Sequence, residues 1–379
     1  MLDADPASLW AGLLQAQLHR RGGKLDEARR TVETLLSRAD PRTELASQAW
    51  AELAMVHDAA GDPDAAAAAI ARCKAPQLAS DGPAWNAAQH VARRFGELVA
   101  SLDAARIAAW NARAATDVPS PVAILAGFPR SGTTLLEQIL DAHPAVRSIE
   151  ERDVLAGEIF PTCVHGHPPE SPIAPIIDRL ARKQVARLRE RYITALAEWA
   201  AASGAPAPNG TLLLDKNPGA TPLIPVLRAL FSKAPVLIAL RDPRDVVLSC
   251  YMRYLQLNPL SANFLTVERT AVKYAMDMGA WIRFRDLSPE GWAEVKYEDL
   301  VGDIEGVARR AIGTLGVAWD DAVLAYRTRL ERKIVTSPTY DKVREPVTAK
   351  AVGRWKRYEK LLAPAMPHLT PFITAFGYE

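Results

Sequence analysis

Two glycines frame a loop whose residue types suit the binding of an anion. Residues 126–140 read AGFPRSGTTLLEQIL, with Gly127 and Gly132 at the spacing of a nucleotide-binding loop. Thr133 stands where such loops carry the lysine that reaches the β- and γ-phosphates of a triphosphate. The loop instead offers a cation and three hydroxyls, from Arg130, Ser131, Thr133 and Thr134. This pattern predicts a site for a nucleotide that carries one terminal phosphate and a transferable group, and the alternative is an accidental glycine turn.

Two further motifs end predicted strands with charged side chains. VLIALRDPRDVVLSCYMR, residues 236–253, places Arg241 after a buried strand and Ser249 within the following helix. The planar guanidinium of arginine binds phosphate well, which favours a second anion site over a surface Arg–Asp network. LLLDKNPG, residues 212–219, places Lys216 at the end of a strand, where open parallel sheets gather functional groups. The alternative for Lys216 is a merely solvated amine.

The elements that must position these residues are predicted from periodicity. VAILAG, residues 122–127, is a short apolar run typical of a buried parallel strand, and the segment after the loop has helical spacing. Two prolines in DVPSP, residues 117–121, end the helical pattern that precedes them. We therefore predict an all-helical domain over residues 1–115 and an α/β domain with a central, mostly parallel sheet over residues 120–379.

The helical domain contains an internal repeat. Two stretches align on Gly23 and Gly61, 38 residues apart, with small residues before and after each glycine. Small residues on both sides of a turn glycine let antiparallel helices pack closely, as in tetratricopeptide repeats. A third helix pair is expected around residues 85–115. The repeats either dock a protein partner or brace the α/β domain, with a dimer surface as a further alternative.

Composition excludes several classes of protein. The chain has 379 residues, a formal net charge of +2 and no long basic run, which disfavours nucleic-acid binding. Its first residues are acidic and it has no apolar stretch of membrane-spanning length, so we expect a cytoplasmic protein. Three scattered cysteines suggest no disulfide framework. CVHGH, residues 163–167, has too few ligands for a zinc site, and we predict no metal.

The motifs together resemble a known family. PRSGTTLLEQIL resembles the 5′-phosphosulfate loop of sulfotransferases that use 3′-phosphoadenosine 5′-phosphosulfate (PAPS), and DAHPAVRSIEE is similar to the matching segment of tyrosylprotein sulfotransferases. Bacterial sulfotransferases with N-terminal tetratricopeptide repeats have the most similar overall pattern. The resemblance covers residues 120–365 and implies a P-loop sulfotransferase fold, with PAPS as co-substrate, 3′-phosphoadenosine 5′-phosphate (PAP) as product and no metal.

The resemblance also implies roles for individual residues. Glu151, the second carboxylate of RSIEERDV, matches the catalytic glutamate that accepts the hydroxyl proton, and Lys216 matches the lysine that stabilises the leaving oxygen. Arg241 and Ser249 match the ligands of the 3′-phosphate. Glu150 is expected to point elsewhere. The residues implied to hold the donor are Arg130, Ser131, Gly132, Thr133, Thr134, Arg241, Ser249, Tyr297 of KYEDLVGD, and Thr339 and Arg354 of the C-terminal segment 337–364.

One departure from the tyrosylprotein enzymes leaves the acceptor open. They carry an arginine two residues after the catalytic glutamate, where this chain has Asp153. The acceptor hydroxyl is therefore on a protein tyrosine, a glycan, a lipid or a small molecule. Two alternatives to a sulfotransferase remain at this point. One is a P-loop nucleotide kinase, and the other is a repeat-based adaptor whose sulfotransferase domain is inactive.

Overall fold

The computed structural model describes residues 8–203, 207–208, 210–288, 290–330 and 351–379. The described residues group into two compact units. The first unit takes its residues from 1–91, 247–273 and 353–371, and the second from 92–246, 274–352 and 372–379. Residues 247–273 and 353–371, which come late in the chain, thus belong to the same unit as the first helices.

The N-terminal region is helical. Its helices are α1 (Leu9–Arg21), α2 (Leu25–Arg38), α3 (Glu44–Ala59), α4 (Pro63–Leu78), α5 (Gly82–Ala100) and α6 (Ala104–Ala114). Gly23 and Gly61, which lie between paired helices, have φ angles of 75° and 84° that favour glycine. The small side chains aligned by the repeat are fully buried, namely Ala16, Ala28, Val32, Ala54, Ala66 and Ile70. The all-helical prediction is confirmed, and the repeat positions form helix-packing contacts.

The α/β region follows residue 120. Its strands are β1 (Val122–Gly127), β2 (Val146–Glu150), β3 (Leu212–Lys216), β4 (Val236–Leu240) and β5 (Trp292–Lys296). Its helices are α7 (Thr133–Asp141), α8 (Phe160–Val164), α9 (Ile173–Asp178), α10 (Arg182–Ala202), α11 (Ile224–Leu230), α12 (Pro243–Tyr251), α13 (Val267–Leu287), α14 (Tyr297–Gly302), α15 (Ile304–Leu315), α16 (Tyr326–Leu330), α17 (Glu359–Leu362) and α18 (Met366–Ala375). A π-helix spans Leu155–Ile159, and 3₁₀ turns span Pro218–Leu223, Ser261–Phe264, Asp321–Ala325, Arg354–Tyr358 and Ala363–Ala365.

The five strands form one sheet in the order β2-β3-β1-β4-β5, and every neighbouring pair is parallel. This confirms the predicted α/β fold. From β1 the chain runs past β3 to β2 at one edge of the sheet. From β3 it runs past β1 to β4, in the opposite direction along the sheet. Since the connections diverge there, the carboxyl ends of β1 and β3 flank the crevice in which open α/β sheets bind ligands.

Alternation along β3 sends its last two side chains to opposite faces of the sheet. Leu212 and Leu214 belong to a core cluster with α7 and α15, so Lys216, two residues on, faces the α7 side. Asp215 faces the opposite side, where Tyr192 of α10 bonds it. The basic side chains near the start of α10 are exposed, whereas Tyr192 lies on the buried face of the same helix.

No helix of the described residues is long and apolar enough to cross a bilayer. The His, Cys, Asp and Glu side chains of the described residues also form no group of three or more that could hold a metal ion.

Candidate active site

The predicted phosphate loop, residues 127–132, connects β1 to α7. Gly127 has a φ of 141°, and a Cβ there would lie 2.5 Å from the carbonyl oxygen of Ala239 on β4. The Thr221 hydroxyl accepts a hydrogen bond from the Gly127 amide (2.9 Å) and donates one to its carbonyl (2.5 Å). Only glycine fits this position, and the start of the loop is fixed against two neighbouring segments.

The loop delivers a helix N-terminus to the crevice. Gly132 adopts a left-handed conformation with φ 93° and caps α7. The first amides of a helix have no intrahelical acceptor, and they point toward any anion bound there. Ser131, Thr133 and Thr134 line this turn with buried side chains. The turn can therefore bind an anion through backbone amides and hydroxyls together.

Two residues of the described chain other than glycine have positive φ, and both are predicted site residues. Arg130 has φ 74° and Glu151 has φ 46°. Such conformations are uncommon for these residue types and cost about 1–3 kcal/mol, so the surrounding structure must hold them. For Glu151 the restraint is visible, since its amide donates to the carbonyl of Lys216 at 2.8 Å.

Arg241 and Tyr297 meet the phosphate loop from the β4 and β5 side. The Arg241 guanidinium donates to the carbonyl of Arg130 at 3.4 Å and also to the carbonyl of Ala351. Its centre lies 5.1 Å from the ring centroid of Tyr297. A Cβ on Gly132 would lie 2.6 Å from Cδ2 of Tyr297, so the ring packs directly on the loop. The structure thus brings these four predicted residues together.

Lys216 lies among three carboxylates at the carboxyl ends of β2 and β3. Its Nζ is 2.6 Å from Glu151 Oε1, 3.5 Å from Glu137 Oε2 and 3.8 Å from Glu150 Oε1. The Lys216 side chain is fully buried, whereas that of Glu151 is 47% exposed. The expectation that Glu150 points elsewhere is wrong, because its carboxylate faces the same amine.

The charge on Lys216 is stabilised by these neighbours. Burial by itself would lower the pKa of the amine, because it removes water from the ammonium group. The charges of Glu137 and Glu151, with the hydrogen bond that the amine donates to Glu151 and the charge of Glu150, outweigh burial and hold the pKa above its ordinary value of 10.5. Lys216 is therefore a cation at neutral pH, and the side chain of Glu151 beside it is about half exposed.

On the face of β3 opposite to Lys216, the side chain of Asp215 is fully buried. Burial raises the pKa of this carboxyl to about 7, the Tyr192 hydroxyl lowers it and the charge of Asp153 raises it. Tyr192 donates to Asp215 Oδ2 at 2.5 Å, and Oδ1 has no hydrogen-bond partner among the residues that the structure describes. Asp215 thus immediately precedes Lys216 on β3, and its side chain faces the opposite side of the sheet.

The remaining predicted residues have other surroundings. Ser249 lies in the interior of α12. Arg354 pairs with Asp58 of α3 at 2.9 Å, and Arg357 and Tyr358 bond the same carboxylate at 2.9 Å and 2.7 Å. Thr339 lies outside the described residues.

Sequence reasoning missed Glu137, Asp215 and Tyr192. A signal existed for two of them. Glu137 lies four residues after Thr133 on α7, which places both on the same helix face. Asp215 interrupts a run of buried leucines, where a polar group requires a partner. That partner, Tyr192, lies on a distant helix and carries no local signal.

Comparisons with known proteins agree with these motifs. The sequence model described as "Sulfotransferase family" matches residues 121–321. The protein-tyrosine sulfotransferase of Drosophila melanogaster is 27% identical over 271 residues, which cover 68% of this chain and 52% of that protein. Protein-tyrosine sulfotransferase A of Caenorhabditis elegans is 27% identical over 271 residues, which cover 69% of this chain and 68% of that protein. The match thus spans about half the length of the fly protein. Among solved structures, the sulfotransferase domain from the Synechococcus PCC 7002 olefin synthase has a TM-score of 0.46 and 20% sequence identity. The match covers 68% of this chain and 96% of that domain.

Proposed function

The chain belongs to the sulfotransferase family, and from this premise we propose that it transfers a sulfuryl group from PAPS to an acceptor hydroxyl. One observation carries the proposal. Arg241 and Tyr297 contact a phosphate loop that has no lysine. The helix that follows this loop carries Glu137, which lies beside Lys216, and Lys216 is paired with Glu151. Such an arrangement combines an anion site with a paired cation and base.

The donor chemistry fits the residues of the loop. In the proposal, the helix N-terminus and side chains of the loop bind the 5′-phosphosulfate, through Arg130, Ser131, Gly132, Thr133 and Thr134. Arg241 and Ser249 bind the 3′-phosphate, and Tyr297 packs beside the nucleotide. The fit rests on Gly132, since a larger residue would collide with Tyr297 where the backbone must approach an anion closely. Thr339 and Arg354 stay in the proposal as further donor contacts on the strength of the family motif.

Glu151 and Lys216 perform the transfer in this proposal. Glu151 accepts the proton of the acceptor hydroxyl as the acceptor oxygen bonds to sulfur. Lys216 stabilises the bridging oxygen as its bond to sulfur breaks, and that oxygen leaves on the 5′-phosphate of PAP. Removing a fixed charge at a developing anion costs about 3 kcal/mol of transition-state stabilisation. The exposed side of Glu151 leaves room for an acceptor.

For the acceptor we propose a phenolic hydroxyl of protein tyrosine. The support is the name of the two relatives, which are 27% identical to this chain. Asp153 replaces an arginine of the tyrosylprotein enzymes, so the acceptor sequence preferred here differs from theirs. A panel of tyrosine peptides, a glycan, a lipid and a simple phenol tests this directly. Sulfation of the phenol or glycan alone contradicts it.

We further propose a domain division, a role for the repeats, a cellular location and an oligomeric state. The functional division is a repeat domain of residues 1–115 and a catalytic domain of residues 120–379. The repeats bind a protein partner or brace the α/β domain. The protein is cytoplasmic and forms a homodimer. Size-exclusion chromatography with light scattering tests the dimer.

The donor is tested by calorimetric binding of PAP in EDTA, compared with ATP and magnesium. PAP is expected to bind without metal and ATP to bind poorly. Arg241→Ala is expected to weaken PAP binding at least tenfold. Arg241→Lys, which keeps the charge but loses the planar fork, is expected to recover only part of the affinity.

The matched control is Arg309→Ala, which removes an exposed arginine paired with Glu305 at 2.7 Å. It should leave PAP binding unchanged. A preference for magnesium-ATP would favour a kinase, and equal effects of Arg241→Ala and Arg309→Ala would exclude Arg241 from the donor site.

A further inference from the structure

Glu137 is a buried acid that the family motif does not explain. It lies on α7, one turn after the phosphate loop, and its side chain is fully buried. A carboxylate in such a place is costly unless other groups compensate its charge. Its surroundings therefore indicate what it does.

Ser148 and Lys216 are among the groups that contact this carboxylate. Its Oε1 accepts a hydrogen bond from the Ser148 hydroxyl of β2 at 2.8 Å. Its Oε2 lies 3.5 Å from Nζ of Lys216, which is itself fully buried. The Ser148 amide in turn donates to Asp141 Oδ1 at 2.8 Å. The orientation of Glu137 is thus set from β2 as well as from its own helix.

Among the three carboxylates near Lys216, Glu151 differs from Glu137 in its surroundings. Glu151 is closer, at 2.6 Å, but its side chain is about half exposed and its backbone is strained. In the proposed reaction Glu151 must turn toward an acceptor hydroxyl, and its contact with Lys216 must loosen. A buried amine holds its proton less tightly when a neighbouring negative charge moves away, because burial disfavours the ammonium form.

We propose that Glu137 is a positioning residue for Lys216, which keeps the amine protonated and oriented while Glu151 separates from it. The inference rests on the proposed function of this site. Glu137 touches no reacting atom in this scheme. It acts through the charge and direction of Lys216, and Ser148 acts one step further away by fixing Glu137.

The first test measures the titration of Lys216 directly. Protein labelled with ¹³C at lysine Cε is titrated by NMR with saturating PAP, and the Lys216 signal is assigned by its loss in Lys216→Met. Glu137→Gln keeps the shape and the acceptor for Ser148 but removes the charge. Its Lys216 midpoint is expected at least one pH unit below that of the wild type.

Glu150→Gln is the matched control. It makes the same chemical change at a carboxylate that is 3.8 Å from the amine and partly exposed. It is expected to move the midpoint less than Glu137→Gln does. Equal shifts in the two variants, or no shift in Glu137→Gln, would overturn the proposal.

The second test is turnover, followed as PAP release with 2-naphthol and a tyrosine peptide as probe acceptors. Glu137→Gln is expected to lower kcat at least tenfold, change KM less than twofold and move the alkaline limb of the pH profile to lower pH. The direction follows because Lys216 must be protonated and its pKa falls when the neighbouring charge is removed. Glu137→Asp, which keeps the charge, should restore the limb, and it also serves if Glu137→Gln does not fold.

A structural role alone gives a different result. The melting temperature and kcat would then fall together while the pH profile keeps its position, which would refute a positioning role. Failure of the underlying function is separately recognisable. Wild-type protein would then not bind PAP, or Lys216→Met would keep full activity, whatever Glu137→Gln does.

Discussion

Replacement of Asp215 by asparagine is expected to remove a pH-dependent loss of stability. Asp215 is fully buried, and burial raises its pKa from 3.8 to about 7, although the Tyr192 hydroxyl lowers it and Asp153 raises it. Between these two pH values the folded protein binds a proton that the unfolded chain has released. The free energy of unfolding therefore falls as the pH rises through this window.

The size of the effect follows from the shift. A change of about three pKa units at about 1.4 kcal/mol per unit corresponds to about 4 kcal/mol. The side-chain amide introduced by Asp215→Asn would still accept the hydrogen bond from Tyr192 but could not ionise. At pH 4 the two proteins should have similar stability, since a neutral carboxyl and an amide are alike in shape and polarity. At pH 8 the variant should be more stable by a few kcal/mol.

The measurement is urea unfolding of both proteins at intervals between pH 4 and pH 8.5. The relevant quantity is the difference between the two free energies of unfolding, because other titrating groups are common to both proteins. Asp286→Asn, at an exposed carboxylate, is the control and should show a constant difference. Tyr192→Phe should enlarge the wild-type loss, because it removes the group that lowers the pKa of Asp215. A difference for Asp215→Asn that stays constant across this range would refute the reasoning.

Three other substitutions test particular contacts. Gly132→Ala places a Cβ within 2.6 Å of Tyr297 at a φ of 93°. Calorimetry should show that this variant binds PAP at least tenfold more weakly than the wild type. Gly313→Ala, at a glycine with open space around it, is the control and should bind PAP normally. Thr221→Val leaves the buried Gly127 amide without its acceptor and should cost about 1–3 kcal/mol in thermal unfolding; Thr221→Ser should restore most of the loss, and equal values for the two variants would contradict the contact. Asp58→Asn weakens the bonds to Arg354, Arg357 and Tyr358 and should cost about 2 kcal/mol in urea unfolding; a loss no larger than that of the exposed Asp26→Asn would refute this.

Local sequence was sufficient to predict the elements and the motifs that join them. The glycine spacing around residues 127–132, the apolar strand before it and the helical spacing after it are all local patterns, and the structure has the predicted strand, loop and helix. The small residues beside Gly23 and Gly61 likewise predicted which side chains would be buried between helices. Such patterns are readable because periods of 2 and 3.6 residues are imposed by the backbone itself.

The contacts around the site were decided by the tertiary structure. Lys216 meets Glu137 and Glu151 because parallel pairing brings the ends of β2 and β3 and the first turns of α7 to one place. Glu151 and Glu137 are 65 and 79 positions apart in the chain from Lys216, and no periodic pattern encodes a pairing over that distance. The same holds for Tyr297 on Gly132 and for Tyr192 on Asp215. The sequence by itself determined which functional groups this protein brings to the edge of its sheet. Only the packing of the strands and helices decided which of these groups form hydrogen bonds or ion pairs, because those contacts depend on distances and burial that are set between elements.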